Sequence, residues 1–68
     1  MVNVVEIEKL QIEQGKKNKE MADFLGITHQ SLLQKKKGRI RWTLEDAIAI
    51  CKFLGITDPV VKVQIFLS

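Results

Sequence analysis

Gln30, Gln34 and Lys37 recur at i, i+4 and i+7 within the stretch THQSLLQKKKG, the spacing that sets three side chains on one side of a helix. A primary amide carries a donor and an acceptor side by side. Each glutamine can therefore pair with the N6 and N7 atoms of an adenine, while a lysine reaches guanine or a phosphate. The competing reading of the same stripe is an ordinary solvated helix face. His29 stands just before it. With Leu32 as the buried direction and a step of ~100° per residue, His29 falls toward the inner edge. A base contact from the first helical turn and a packing or backbone hydrogen-bonding role both stay open for it.

No constellation for other chemistry is visible. Cys51 is the single cysteine and His29 the single histidine, so there is no internal disulfide, no zinc ligand set and no evident Cys/His pair with a third partner. An enzymatic role, a metal, a cofactor and a small-molecule ligand are accordingly not expected. Cys51 reads as a small buried hydrophobe.

Net charge is +3 over 68 residues, but it is unevenly placed. From Lys16 to Arg41 eight basic residues face two acids, a net of +6; the rest has three bases and six acids, a net of −3. A basic middle between acidic ends suits a polyanionic partner on one face, with a solubilising surface as the alternative. Hydrophobic residues, 46% of the chain, are spread along its length and indicate a folded domain. Apolar runs are far shorter than the ~20 residues that span a bilayer. The opening MVNVVEIEKL has acids where a signal peptide carries bases. A cytoplasmic protein without a membrane partner is expected.

The elements that must carry the stripe follow from caps and periodicity. Asn3 with Glu6 is a capping box for a helix over Val4 to Gln14, ended by Gly15. A second helix runs from Asn18 to Leu25, with Met21, Ala22 and Leu25 inward, and stops at Gly26. Thr28 caps a third helix through Lys37, with Ile27 and Leu32 as its staple, and Gly38 closes it. Arg39 to Trp42 is a short basic loop. Thr43 with Asp46 starts a fourth helix, on which Ala47, Ile48, Cys51 and Leu54 share a face, up to Gly55. Thr57-Asp58-Pro59 signals a further helical start, yet Val61, Val63, Ile65 and Leu67 alternate with Lys62, Gln64 and Phe66 as in a strand. The tail is helix or strand. The expected fold is all-α: one domain over residues 1–68, a compact bundle of four to five short helices containing a helix-turn-helix.

Asn18 to Gly38 decides that last point. Two helices meeting at about a right angle through a tight turn need a small residue where they approach, here Ala22. They need a positive φ in the turn, here Gly26. They also need an apolar wedge, here Leu25, Ile27 and Leu32. With EMADFLGITHQSL, the G-R-I-R-W-T-L linker and the A-I-C-K-F-L-G-I helix, the chain resembles the Cro/XRE-type helix-turn-helix family of phage repressors and small bacterial regulators. The resemblance covers about Ile7 to Ile56. It implies a lambda-repressor-like domain whose third helix enters the DNA major groove, with His29, Gln30 and Gln34 reading bases. It further implies phosphate contacts from Asn18, at the start of the second helix, and from the linker, where Lys37, Arg39 and Arg41 stand. Thr28 is a cap first, with a phosphate at the exposed helix N-terminus as a second use. Two positions depart from the family. Lys17 stands where a serine or threonine usually caps, leaving Asn18 as the alternative cap. Lys35 and Lys36 stand where an apolar residue anchors the third helix, their stems expected to cover apolar surface while the charges reach outward.

The expected partner is a double-stranded DNA operator, occupied by a repressor. Since one recognition helix reads few base pairs, a homodimer is expected, weak in solution and completed on DNA. Its contact is expected in the apolar tail, through Val61, Val63, Ile65 and Phe66, the alternative being that the tail completes the core of a single chain. The alternative is a protein-interaction module on the same fold, an antirepressor or antitoxin-like adaptor. That module would present an apolar third-helix face. RNA binding is the weaker third reading, because few aromatic residues are present to stack bases.

Overall fold

Asn3 Oδ1 accepts the Glu6 N–H at 3.1 Å and opens α1 (Val4–Gln14). Lys17 precedes α2 (Asn18–Leu25), and the Glu20 carboxylate accepts the Lys17 N–H at 3.0 Å. Asn18 is thus the first residue of α2 and does not cap it. Thr28 Oγ1 accepts the Ser31 N–H at 3.0 Å and opens α3 (His29–Lys36), one residue shorter than expected, with Lys37 as its C-cap. Thr43 and Asp46 form a reciprocal capping box at the start of α4 (Leu44–Leu54). Asp58 caps and Pro59 begins α5 (Pro59–Phe66). The computed structural model describes residues 2–67, and no strand occurs among them.

Each helix gives the core one fully buried aliphatic side chain: Ile7, Met21, Leu32, Ile50 and Ile65. Ala22, Cys51, Leu54 and Ile56 complete it, with Leu10, Leu25, Ile27, Trp42 and Phe53 packed around. All five helices therefore share one core. The radius of gyration is 10.8 Å, close to the ~11 Å of a tightly folded chain of this length. No helix among the described residues is long and apolar enough to cross a membrane.

Two sequence expectations are corrected, and one left open is decided. On α4 the inward face is Asp46, Ile50 and Leu54, at i, i+4 and i+8, with Cys51 beside it; Ile48 is half exposed. On α3, Lys35 and Lys36 do not send their charges outward. Both lie within one turn of Leu32 on the helix wheel, so their ammonium groups end inside, where neighbouring elements supply acceptors. The tail, ambiguous in sequence, is a helix. It carries two apolar stripes: Val61 and Ile65 at i, i+4 pack inward, while Val60, Val63 and Leu67 at i, i+3, i+7 stay exposed. Two overlapping helical stripes produce the alternation that imitates a strand.

Candidate nucleic-acid interface

α2 and α3 are joined by three residues, Gly26, Ile27 and Thr28. Gly26 sits at φ +72°, which lets its N–H and that of Ile27 turn back onto the last carbonyls of α2. Ala22 is 1% exposed and belongs to the core. Leu25, Ile27 and Leu32 all pack in the core, as the wedge requires.

This turn holds Leu32 inward and sets the opposite side of α3 free. His29 and Gln30 are exposed in its first turn, Gln34 is half-buried, and Lys37 is exposed just beyond the last turn. His29 is at the surface, not at the inner edge where the helix wheel puts it, because it opens the helix where no preceding turn covers it. α3 contains no acidic residue. The Thr28 hydroxyl accepts the Ser31 N–H and lies 2.9 Å from Ser31 Oγ. An anion at this helix end would therefore meet backbone N–H groups rather than that hydroxyl.

Arg39 and Arg41 are exposed on a loop that is held from beneath. The Arg39 N–H donates to Gln34 O at 2.9 Å, and Lys35 Nζ donates to Arg41 O at 3.4 Å. Lys35 Nζ also lies 2.5 Å from Asp46 Oδ2, both side chains being 10% exposed. Burial pushes the Asp46 carboxyl up, but hydrogen bonds from Lys35 and the Thr43 N–H, with the Lys35 charge, outweigh it and hold the group below its ordinary value.

A second buried cation lies at the junction of α1, α2 and α3. Lys36 Nζ donates to Gln11 Oε1 and to Asn18 Oδ1, each at 2.6 Å, and lies 3.6 Å from Glu8 Oε2. Gln11 Nε2 donates in turn to Asn18 Oδ1 at 3.1 Å and to Lys16 O at 3.3 Å. Burial pulls the Lys36 ammonium below its ordinary value, and the Glu8 carboxylate works in the opposite direction.

No protein-family model, curated protein or solved structure matches the chain. Its function must therefore be read from its own residues. The structure brings His29, Gln30, Gln34 and Lys37 to one helix and its C-terminal edge, continues them into Arg39 and Arg41, and leaves Asn18 at the start of α2. It also shrinks the exposed cationic set. Of the eight bases between Lys16 and Arg41, Lys35 and Lys36 are internal, and Lys16 lies half-buried over the Phe53 ring with its ammonium on Phe53 O. Lys17, Lys19, Lys37, Arg39 and Arg41 remain exposed.

Sequence reasoning missed Gln11, Lys35, Lys36 and Asp46 as a supporting layer. A signal existed for three of them: Gln11 follows Ile7 by four residues on the inner stripe of α1, and Lys35 and Lys36 follow Leu32 by three and four. Of the expected tail contacts, Ile65 is corrected outright: it is fully buried within the single chain. Val61 and Phe66 are half-buried against the core, and Val63 is half exposed. An open apolar surface is a groove between α4 and α5, about 510 Å³, where Leu44, Ile48, Val63 and Leu67 stand exposed. Cys51 lines its floor with a thiol that burial pushes up and Lys62 draws down.

Proposed function

We propose that this chain is a sequence-specific double-stranded DNA-binding regulator of the Cro/XRE helix-turn-helix type, a repressor that occupies its operator through α3. One observation carries the reading. α3 is anchored by Leu32, Lys35 and Lys36 while His29, Gln30, Gln34 and Lys37 are left for a partner, with two exposed arginines directly following. Amides and an imidazole supply the donors and acceptors that base edges match, and the flanking cations supply phosphate contacts. An apolar helix face, which a protein-interaction module would need, is not what α3 offers.

Two copies bind together in this reading, because a single recognition helix specifies too few base pairs. The α4–α5 groove and the outer stripe of α5 form the contact. Lys52 and Lys62 line the same groove, so pairing two copies brings like charges together and association in solution is weak. DNA completes it by holding both copies one helical turn, roughly 34 Å, apart.

Selection from a pool of random duplexes, followed by sequencing of the bound fraction, tests the reading. The expected result is a consensus with two-fold symmetry. A bound fraction indistinguishable from the starting pool overturns it.

A further inference from the structure

The Lys36 ammonium sits where three helices meet, yet its side chain is only 7% exposed. It is too enclosed to be part of the outer cationic surface. What it does follows from hydrogen-bond sense. An ammonium has donors and no acceptor. Both amides beside it must therefore turn their oxygens toward it: Gln11 by Oε1 and Asn18 by Oδ1. The Gln11 nitrogen is then committed to Asn18 Oδ1 and Lys16 O. One cation thus fixes the orientation of two amides.

The consequence falls on Asn18. With Oδ1 inward, Nδ2 is the end left over. It makes no hydrogen bond among the described residues, where no buried side-chain polar atom lacks a partner, so Nδ2 reaches solvent. It does so at the first residue of α2, beside the backbone N–H groups of that helix start. A free amide nitrogen is a donor and suits a phosphate oxygen. The flipped amide would offer an oxygen and repel one.

We propose that Lys36 is the positioning residue of a DNA backbone contact made by Asn18: by accepting no hydrogen bond itself, it locks the Asn18 amide with its nitrogen outward. Lys36 belongs to α3 and Asn18 to α2, so the same three-helix junction that seats the recognition helix also arms the backbone grip. The proposal rests on the DNA-binding reading above and adds a residue that never touches DNA.

The test compares wild type, Asn18→Ala, Lys36→Met, Lys36→Arg and the Asn18→Ala/Lys36→Met double variant. Each is titrated with a random-sequence duplex at several salt concentrations, using protein shown to be folded by circular dichroism. Asn18→Ala and Lys36→Met should each weaken binding by ~3- to 10-fold, the weight of one hydrogen bond. The double variant should be no weaker than the worse single one. Lys36→Arg, still a donor without an acceptor, should bind like wild type. Because Lys36 does not touch phosphate, Lys36→Met should leave the salt slope within the error of wild type; a slope lowered by about 0.9 means a direct contact and overturns the proposal. Additive effects overturn it, as does a folded Lys36→Met protein that binds like wild type. A readout independent of DNA is the pair of side-chain amide signals of Gln11 and Asn18 in ¹⁵N NMR spectra. They should shift in Lys36→Met and persist in Lys36→Arg; signals unmoved in Lys36→Met remove the lock even where wild type binds DNA. Wild type that binds no duplex, with the amide signals moving as expected, defeats the DNA reading and this contact with it, while leaving the lock itself in place.

Discussion

Lys35 Nζ and Asp46 Oδ2 meet at 2.5 Å and join the last turn of α3 to the first turn of α4. The same Oδ2 accepts the Thr43 N–H at 2.9 Å, and the same Nζ donates to Arg41 O at 3.4 Å. One ion pair therefore caps α4, closes α3 and tethers the loop that presents Arg39 and Arg41. A buried pair of this kind adds little net stability over an apolar substitute, but removing one partner leaves a charge without compensation.

Lys35→Met should accordingly destabilise the fold by about 3 kcal/mol, the lower end for a broken buried pair. The double variant Lys35→Met/Asp46→Leu should recover part of that loss, the remainder reflecting the missing cap. Urea denaturation followed by circular dichroism measures both. Equal stability of Lys35→Met and wild type would show that the pair is not closed in solution.

The Asp46 carboxyl titrates below its ordinary value in the folded chain, so folding favours its ionised form. Its contribution is fully present above the unfolded-state pKa, near 4, and is lost as pH falls through the lower folded-state value. Stability measured from pH 7 downward should fall in that acid range, and Asp46→Asn should flatten this part of the profile. A profile unchanged by Asp46→Asn counts against the linkage.

Base readers and phosphate grips should separate cleanly. Gln30→Ala or Gln34→Ala should relax preference at particular base pairs by about 1–3 kcal/mol each. Arg39→Ala or Arg41→Ala should weaken all sequences alike and lower the slope of log K against log salt by about 0.9 for each phosphate no longer neutralised. Competition between selected and random duplexes, repeated at several salt concentrations, reads both quantities. An unchanged specific-to-random ratio in the glutamine variants removes them from the base-reading set.

On α5, neighbouring substitutions should act on different things. Val63→Asp, on the exposed stripe, should leave the monomer folded and abolish cooperative occupancy of a two-fold site in footprinting. Ile65→Asp, in the core, should unfold the chain, since it buries a carboxylate without a partner. Intact cooperativity in Val63→Asp would place the subunit contact elsewhere.

Residue order alone marks the ends of four helices to within a residue and leaves the tail open between helix and strand. Asn3, Thr28, Thr43 and Asp58 cap through bonds to residues two or three positions on, and Gly15, Gly26 and Gly55 end helices by their own φ. Interactions this short in sequence leave their mark in local residue order. The same locality makes the α2–α3 turn legible, because Ala22, Gly26 and the apolar wedge act across one junction. The fate of the charges is settled by packing instead. The helix wheel puts Lys35 and Lys36 on the Leu32 side and Lys37 on the other, but nothing local says that their ammonium groups find acceptors there. Their partners, Asp46 eleven residues away and Gln11 twenty-five away, come close only when the helices pack. The tail stayed open between helix and strand for the same reason: which of its apolar side chains are buried depends on where α1 lies, through contacts such as Asn3 N–H to Ile65 O at 2.6 Å. A side chain's type sets what it can bond, but its surroundings, supplied by distant chain, set whether a lysine is a phosphate grip or a buried strut.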